Sequence, residues 1–188
     1  MNKLFYEICT QIDDCIDEFD LIPNNKVAVG VSGGKDSSIL LLALTHLGFS
    51  VFPIVVDMGF KGFSLEGINK HFAPHNISAH VINVESQCIR LPDDERQEVE
   101  LLLKELSFSQ ATKPCTACSR IKRIFLFDYA RRIGIRTIAL GHHRDDFIAT
   151  MMKEGTGGRY DFVPFSSTVK QHHALSMIFL EIPVTLSI

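Results

Sequence analysis

Lys26-Val27-Ala28-Val29-Gly30-Val31-Ser32-Gly33-Gly34-Lys35-Asp36-Ser37 is the stretch that decides the fold of this chain. Val27 to Val31 is a short apolar run that reads as a buried strand, and an apolar helical pattern begins at Ile39. Between them lies a Gly-Gly turn. A strand that turns through glycines into a helix start gathers unpaired backbone N–H groups and the positive end of the helix dipole. Without side chains in the way, an anion can approach closely. Lys35 adds a charge, and Ser32 and Ser37 add hydroxyl donors. The alternative, a plain glycine-rich connection, leaves the whole six-residue polar set unexplained.

The loop is not the common nucleotide P-loop. Counting back from Gly34-Lys35 places Val29 where that motif needs its first glycine, and Asp36 stands where it needs Ser or Thr. A carboxylate beside phosphates is repulsive unless a divalent cation lies between them, so Asp36 implies magnesium. Ser32-Gly33-Gly34-Lys35-Asp36-Ser37 resembles instead the pyrophosphate-loop (PP-loop) signature of enzymes that split ATP into AMP and pyrophosphate.

The 188 residues, 46% hydrophobic and 22% charged, suit a single globular domain able to bury roughly two-thirds of its unfolded surface. We divide it into an N-terminal helix, 1–22, and an ATP-binding unit, 23–188. The net charge of −3 limits any nucleic-acid contact to a local patch. The start of the chain lacks a signal-peptide core. Residues 37–56 carry no formal charge over a length that could cross a membrane, but Gly48, Pro53 and a change of period at Val51 split them into a helix and a strand. The reading is a soluble, cytoplasmic protein with no membrane partner.

Outward from the loop, the pattern predicts helices at 2–19, 37–47, 64–73, 93–106, 115–133 and 145–153. Strands are predicted at 26–31, 51–57, 79–84 and 136–140, with a last apolar run at 175–180 and a glycine-rich loop around 155–158. The acidic 93–106 stretch reads as a solvated helix. Strands alternating with helices give an α/β fold, a Rossmann-like parallel sheet with helices on both faces. Ligands of such sheets lie outside the carboxyl ends of the strands. That edge collects Ser32–Ser37, Asp57 and Gly141–Asp146. Asp57 suits either a nucleoside contact or a turn cap. Asp145 and Asp146 suit either a helix cap or a magnesium ligand, and the adjacent His142 and His143 are not by themselves a metal motif.

Five cysteines without a secretory signal do not suggest disulfides. Cys9 and Cys15 fall in the amphipathic pattern of Leu4, Ile8, Ile12, Ile16 and Phe19, and Cys88 stands alone. Cys115 and Cys118 differ: three apart at a helix start near Lys113, Arg120 and Lys122, they share a face and should be acidified. A paired thiolate suits a metal, an iron–sulfur cluster or sulfur transfer; inert thiols at helical spacing are the plain alternative. From Lys113 to Arg136, seven basic residues stand against Asp128 alone, an excess that suits a polyanion such as RNA, with Arg120 and Arg123 as contacts.

Ser32–Ser37, Cys115-x-x-Cys118 with Arg120, Lys122 and Arg123, and Gly141-His142-His143-Arg144-Asp145-Asp146 together resemble the tRNA-thiolating PP-loop enzymes, most closely the tRNA 2-thiocytidine synthetase family, over about 26–153. The resemblance implies ATP and magnesium at Ser32, Gly33, Gly34, Lys35, Asp36 and Ser37, with Asp57, Gly141 and His142 completing the nucleotide site. It implies adenylation of a base carbonyl, release of pyrophosphate, and displacement of AMP by sulfur. Cys115 and Cys118 would be two ligands of a four-iron–four-sulfur cluster, and Lys122 and Asp146 the charged pair that handles the transfer. tRNA and a sulfur donor, protein or sulfide, are the expected partners, with a second copy of the chain as a candidate. Family members continue further, and their third cluster cysteine lies there; no cysteine follows Cys118. The chain therefore reads as a truncated member, a minimal variant or one subunit of a pair. Two other functions stay open: a PP-loop enzyme with another substrate, as in lysidine synthetases, and a nucleotide- or RNA-binding protein without catalysis.

Overall fold

Val27, Val29 and Val31 point to one side of strand β1 (Lys26–Gly30) and its extension, Ala28 to the other, and all four are buried. Such two-sided burial needs helices on both faces of the sheet. The computed structural model of the protein describes residues 3–60, 64–107, 114–142, 170–174 and 177–181. Among these, β1 lies between β2 (Ser50–Asp57) and β4 (Thr137–Leu140), and β3 (His80–Asn83) flanks β2; these four strands run parallel. Beyond β4 come β6 (Met177–Glu181) and β5 (Lys170–Ala174), both in antiparallel pairings. The sheet order is β3-β2-β1-β4-β6-β5.

The α/β class is as expected, but the single apolar run at 175–180 is corrected to one strand of an antiparallel pair. Its partner Lys170-Gln171-His172-His173-Ala174 has no apolar alternation. Pairing with β6, rather than local preference, makes it a strand.

Helices α1 (Lys3–Phe19) and α2 (Lys35–His46) share one core with Val27, Val29 and Val55. Helix α1 and the following Leu21 and Ile22 thus pack into the same core as β1. On α1 the buried stripe is Cys9, Ile12, Cys15 and Ile16, whereas Leu4 and Phe19 are exposed. Buried Thr137 at the start of β4 donates to the Leu21 carbonyl at 3.0 Å, tying the segment after α1 to the sheet. Helix α3 (Leu65–Phe72) adds buried Phe72, and Ser64 caps it by accepting from the Gly67 N–H at 3.0 Å. A short helix α4 (Val84–Gln87) and a 3-10 turn follow β3.

The opposite face carries α5 (Asp93–Ser107) and α6 (Pro114–Arg132) over Ala28, Ile54, Val56 and Ile138. The expectation of a solvated α5 is corrected. Val99 is fully buried, and Leu102, Leu103 and Leu106 pack against the same core. The carboxylates of Glu95 and Glu98 reach across to Arg131 and Arg120 of α6. No helix among the described residues is long and apolar enough to cross a membrane. The expected 145–153 helix and 155–158 loop lie outside the described residues.

Phe125 of α6 is fully buried against the sheet. Phe125→Ala should cost about 3–5 kcal/mol of unfolding free energy, the usual range for an emptied aromatic site. Urea denaturation checks this; a loss under about 1 kcal/mol would show that α6 does not close the core.

Candidate active site

The strand order reverses at β1: the chain moves outward through β2 and β3, then returns to β4 on the other flank. The crevice beside such a reversal, at the carboxyl ends of the strands, is where open α/β sheets take ligands. A cavity of about 250 Å³ lies there. Its floor is the ends of β1, β2 and β4, and the start of α2 and the middle of α6 overlook it.

The β1–α2 turn forms one rim. Gly33 has φ +80°, a left-handed conformation that disfavours any side chain. Helix α2 begins at Lys35, two residues earlier than predicted, and its N-cap Gly34 offers no side-chain cap. The first-turn N–H groups therefore have no capping side chain and are available to an anion. Ser37 Oγ donates to the Gly34 carbonyl at 3.1 Å and accepts from the Ser32 N–H at 3.3 Å. With that hydrogen committed, the 3.2 Å contact between the two hydroxyls is a bond donated by Ser32. Ser38 Oγ also donates to Gly34 O, at 2.8 Å. The loop is held by its own hydroxyls, and Ser32 and Ser37 line the cavity.

Lys35 and Asp36 sit on the outer side of this rim. Lys35 Nζ is 3.7 Å from Asp36 Oδ1, and the two side chains are 83% and 39% exposed. An ion pair that wet adds little stability and leaves both groups available to a ligand and a cation. Asp36, as a hard oxygen donor beside an anion cradle, is of the right chemistry for magnesium.

Gly141, one residue past β4, closes the rim from beneath. A Cβ there would lie 2.4 Å from Ser37 N and 2.6 Å from Ser37 Cα. Only glycine permits this approach, which brings the β4 end and exposed His142 to the cavity. Asp57 ends β2, accepts from the Gly59 N–H at 2.8 Å, lies 3.5 Å from Asn83 Nδ2, and lines the cavity. It is a turn cap and a cavity wall at once.

Helix α6 supplies the other wall through Ser119, Lys122, Arg123 and Leu126. Arg123 is partly buried, and burial pushes its guanidinium pKa down. Arg120 faces away, 2.5 Å from Glu98 Oε1. The basic excess counted along 113–136 is thus answered in part from outside the stretch, by Glu98 and Glu95 of α5. Arg131 pairs with Glu95, and Arg132 pairs with Asp128 at 2.7 Å. Cys118 is a partly buried thiol, not in a disulfide, one turn before Lys122. Cys115 lies one turn earlier on α6, and its side chain is outside the description; Asp146 lies outside the described residues altogether. The remaining thiols carry a different chemistry. Burial raises the pKa of Cys9 and Cys15, and burial followed by the nearby Glu100 raises that of Cys88. All three stay protonated and poorly nucleophilic at neutral pH.

The structure therefore brings Ser32, Ser37, Asp57, Lys122, Arg123, Gly141 and His142 to one cavity, with Gly33, Gly34, Lys35 and Asp36 on its rim. Arg120 is not part of it. Sequence reasoning missed Ser119 and the apolar wall of Met58, Phe60 and Leu126. Met58 and Phe60 follow a strand end on the ligand edge, and that placement was the available signal.

These features define a PP-loop nucleotide-hydrolase fold. The family model for the tRNA methyl transferase HUP domain matches residues 25–179, most of the chain, and the chain belongs to that family. More particularly, it falls with the PP-loop tRNA-thiolation proteins, as the three motifs suggested. The tRNA-cytidine(32) 2-sulfurtransferase of Geotalea uraniireducens is 32% identical over 158 residues, covering 80% of this chain and 57% of the relative. That of Paraburkholderia phytofirmans is 31% identical over 158 residues, covering 80% and 43%. The chain spans about half the length of the curated relatives it matches. Among solved structures, the U34-tRNA thiolase NcsA from Methanococcus maripaludis with its four-iron–four-sulfur cluster superposes with a TM-score of 0.63 at 23% identity, over 89% of this chain and 55% of that one. An NH3-dependent NAD synthetase from Campylobacter jejuni follows at 0.52 and 18%, over 73% and 56%. These two likenesses are of fold.

Two substitutions separate the roles at the rim. Lys35→Ala should leave the unfolding midpoint in place and weaken ATP binding about tenfold or more, the scale of a lost charged contact. Gly141→Ala should weaken ATP binding too, but with a stability loss of about 1–3 kcal/mol, because backbone cannot yield as a side chain does. Calorimetric titration and thermal unfolding of both variants check this; an undisturbed Gly141→Ala protein would refute the close approach.

Proposed function

We propose that this chain carries out ATP-dependent tRNA thiolation, activating a pyrimidine C2 carbonyl with ATP and replacing its oxygen with sulfur. One observation carries the reading: the anion-binding rim of Ser32 and Ser37 and the α6 wall bearing Lys122, one turn after Cys118, open on the same cavity. Activation and sulfur transfer need that proximity, since both act at one carbon.

In this reading ATP lies with its outer phosphates on the α2 N-terminus, Lys35 and Asp36, and Asp36 shares a magnesium ion with them. The base oxygen attacks the α-phosphorus, and pyrophosphate leaves with the electron pair of the broken P–O bond. Hydrosulfide, positioned from the Cys115–Cys118 end of α6, adds at C2, the C2–O bond breaks, AMP departs with that pair, and the sulfur loses its proton. Lys122 neutralises charge on the departing group. We assign Asp146 to the proton, Asp57 and His142 to the nucleoside and its phosphates, and the apolar wall to the stacked bases. Arg120, at the mouth of α6 beside Glu98, is the proposed RNA contact outside the cavity. The cytoplasm is the proposed compartment, and a second copy of the chain is a candidate partner.

A four-iron–four-sulfur cluster would present sulfide at a free iron. Cys115 and Cys118 offer two soft ligands on one helix face, but no group of three metal-binding side chains occurs among the described residues. The pair fits a cluster only with a donor from outside them, so no step here depends on one.

The readout is thionucleoside formation with AMP release from ATP, sulfide and candidate tRNA. Wild type should make both products, and Cys118→Ser should retain AMP release by slow hydrolysis of the adenylate while losing at least 90% of the thionucleoside. Thionucleoside formation at the wild-type rate in Cys118→Ser would overturn the role of this helix. Absence of any tRNA-dependent AMP would instead favour a nucleotide-binding protein without catalysis.

A further inference from the structure

Lys122 and Arg123 are consecutive on α6, yet both reach the cavity, because their long side chains converge from neighbouring positions of the helix. Ser119, one turn before them, adds a hydroxyl to the same wall. Opposite lies the rim of Ser32 and Ser37, and at one end stands the Asp57 carboxylate, engaged with the Gly59 N–H and near Asn83. The cavity thus has two electropositive walls. The rim cation Lys35 is 83% exposed and lies outside the cavity lining. It can serve phosphates at the mouth, but not one deep inside.

We infer that Arg123, with Lys122 and Ser119 beside it, forms a second anion site on the α6 wall, which holds the α-phosphate of the nucleotide while the 32–37 loop holds the pyrophosphate that leaves. The inference rests on the nucleotide reading above and divides its phosphates between two elements. A guanidinium offers two parallel N–H donors to a phosphate, a geometry an ammonium lacks. Burial pushes the Arg123 pKa down, and a phosphate beside a partly buried guanidinium opposes that shift. Chemistry supplies the purpose. When the C2–O bond of the adenylate breaks, AMP gains negative charge on its phosphate, and a fixed cation there stabilises the leaving group. Arg120 and Arg123, three residues apart on one helix, then have separate duties: Arg120 is turned to Glu98 of α5, and Arg123 to the cavity.

The same phosphate chemistry is present in an RNA backbone, so the test carries arms for both sources. Calorimetric titrations of the full chain use AMP, adenosine, inorganic pyrophosphate and a short single-stranded RNA, with wild type, Arg123→Gln and Arg123→Lys. Arg123→Gln should bind AMP about 10- to 100-fold more weakly, the range for a lost charged hydrogen bond. Adenosine and pyrophosphate affinities should stay within twofold, and Arg123→Lys should recover part of the AMP affinity. Unchanged AMP affinity in a variant with the wild-type unfolding midpoint overturns the inference. So does an equal loss for AMP and adenosine, which marks mere structural damage, or a loss confined to RNA. Wild type that binds neither AMP nor ATP defeats the nucleotide reading itself, a failure distinct from all of these.

Discussion

At the carboxyl edge of the sheet, Gly141 rests so close to the first turn of α2 that a methyl group on it would lie 2.4 Å from the Ser37 amide nitrogen. The β4 end can approach the helix only as bare backbone, and this approach sets how near Gly141 and His142 come to the rim of the cavity. Gly33, in its left-handed conformation, completes the turn from above. Neither glycine contacts a distant core. The bare backbone of Gly141 lets β4 close on the helix, and the bare turn at Gly33 and Gly34 keeps side chains away from the helix start.

Helix α6 meets this edge from the other face of the sheet, and its orientation depends on α5. Across the 93–107 helix there are six acidic and two basic residues, and across the 114–132 helix five basic and one acidic. The excesses cancel where the helices pack. Glu98 draws Arg120 outward and Glu95 holds Arg131, while the buried residues Val99, Ile121 and Phe125 join the two helices to the sheet. Exposed ion pairs of this kind contribute little stability one by one. Their effect is directional: the arginines they engage are turned to α5, and Lys122 and Arg123 line the cavity.

Much of this was legible in the residues. The four parallel strands are near-continuous apolar runs that end at or beside glycine, aspartate or asparagine, and such runs have one stable setting, a sheet covered on both faces. The anion rim was legible because its chemistry is local: strand, two glycines, lysine and helix are consecutive. What escaped was non-local. Strand β5, polar throughout, exists because β6 lies beside it. A count along the stretch 113–136 does not include the acidic helix packed on it, which pairs with Arg120 and Arg131. The division of labour between Arg120 and Arg123 depends on which face of α6 meets α5, and the sequence of α6 alone, apolar on more than one side, does not specify it. The apolar wall of Met58, Phe60 and Leu126 comes from three places that only the fold brings together.

On the proposed function, one cavity activates a base with ATP before sulfur arrives. Reversible adenylation has a direct signature, the tRNA-dependent exchange of labelled pyrophosphate into ATP with no sulfur source present. Exchange is expected with tRNA and ATP together, none without tRNA, and much less in Lys35→Ala at the same ATP concentration. If tRNA and ATP both bind but no label enters ATP at any concentration of pyrophosphate, the two walls of the cavity do not act on one reaction and adenylation is not its chemistry.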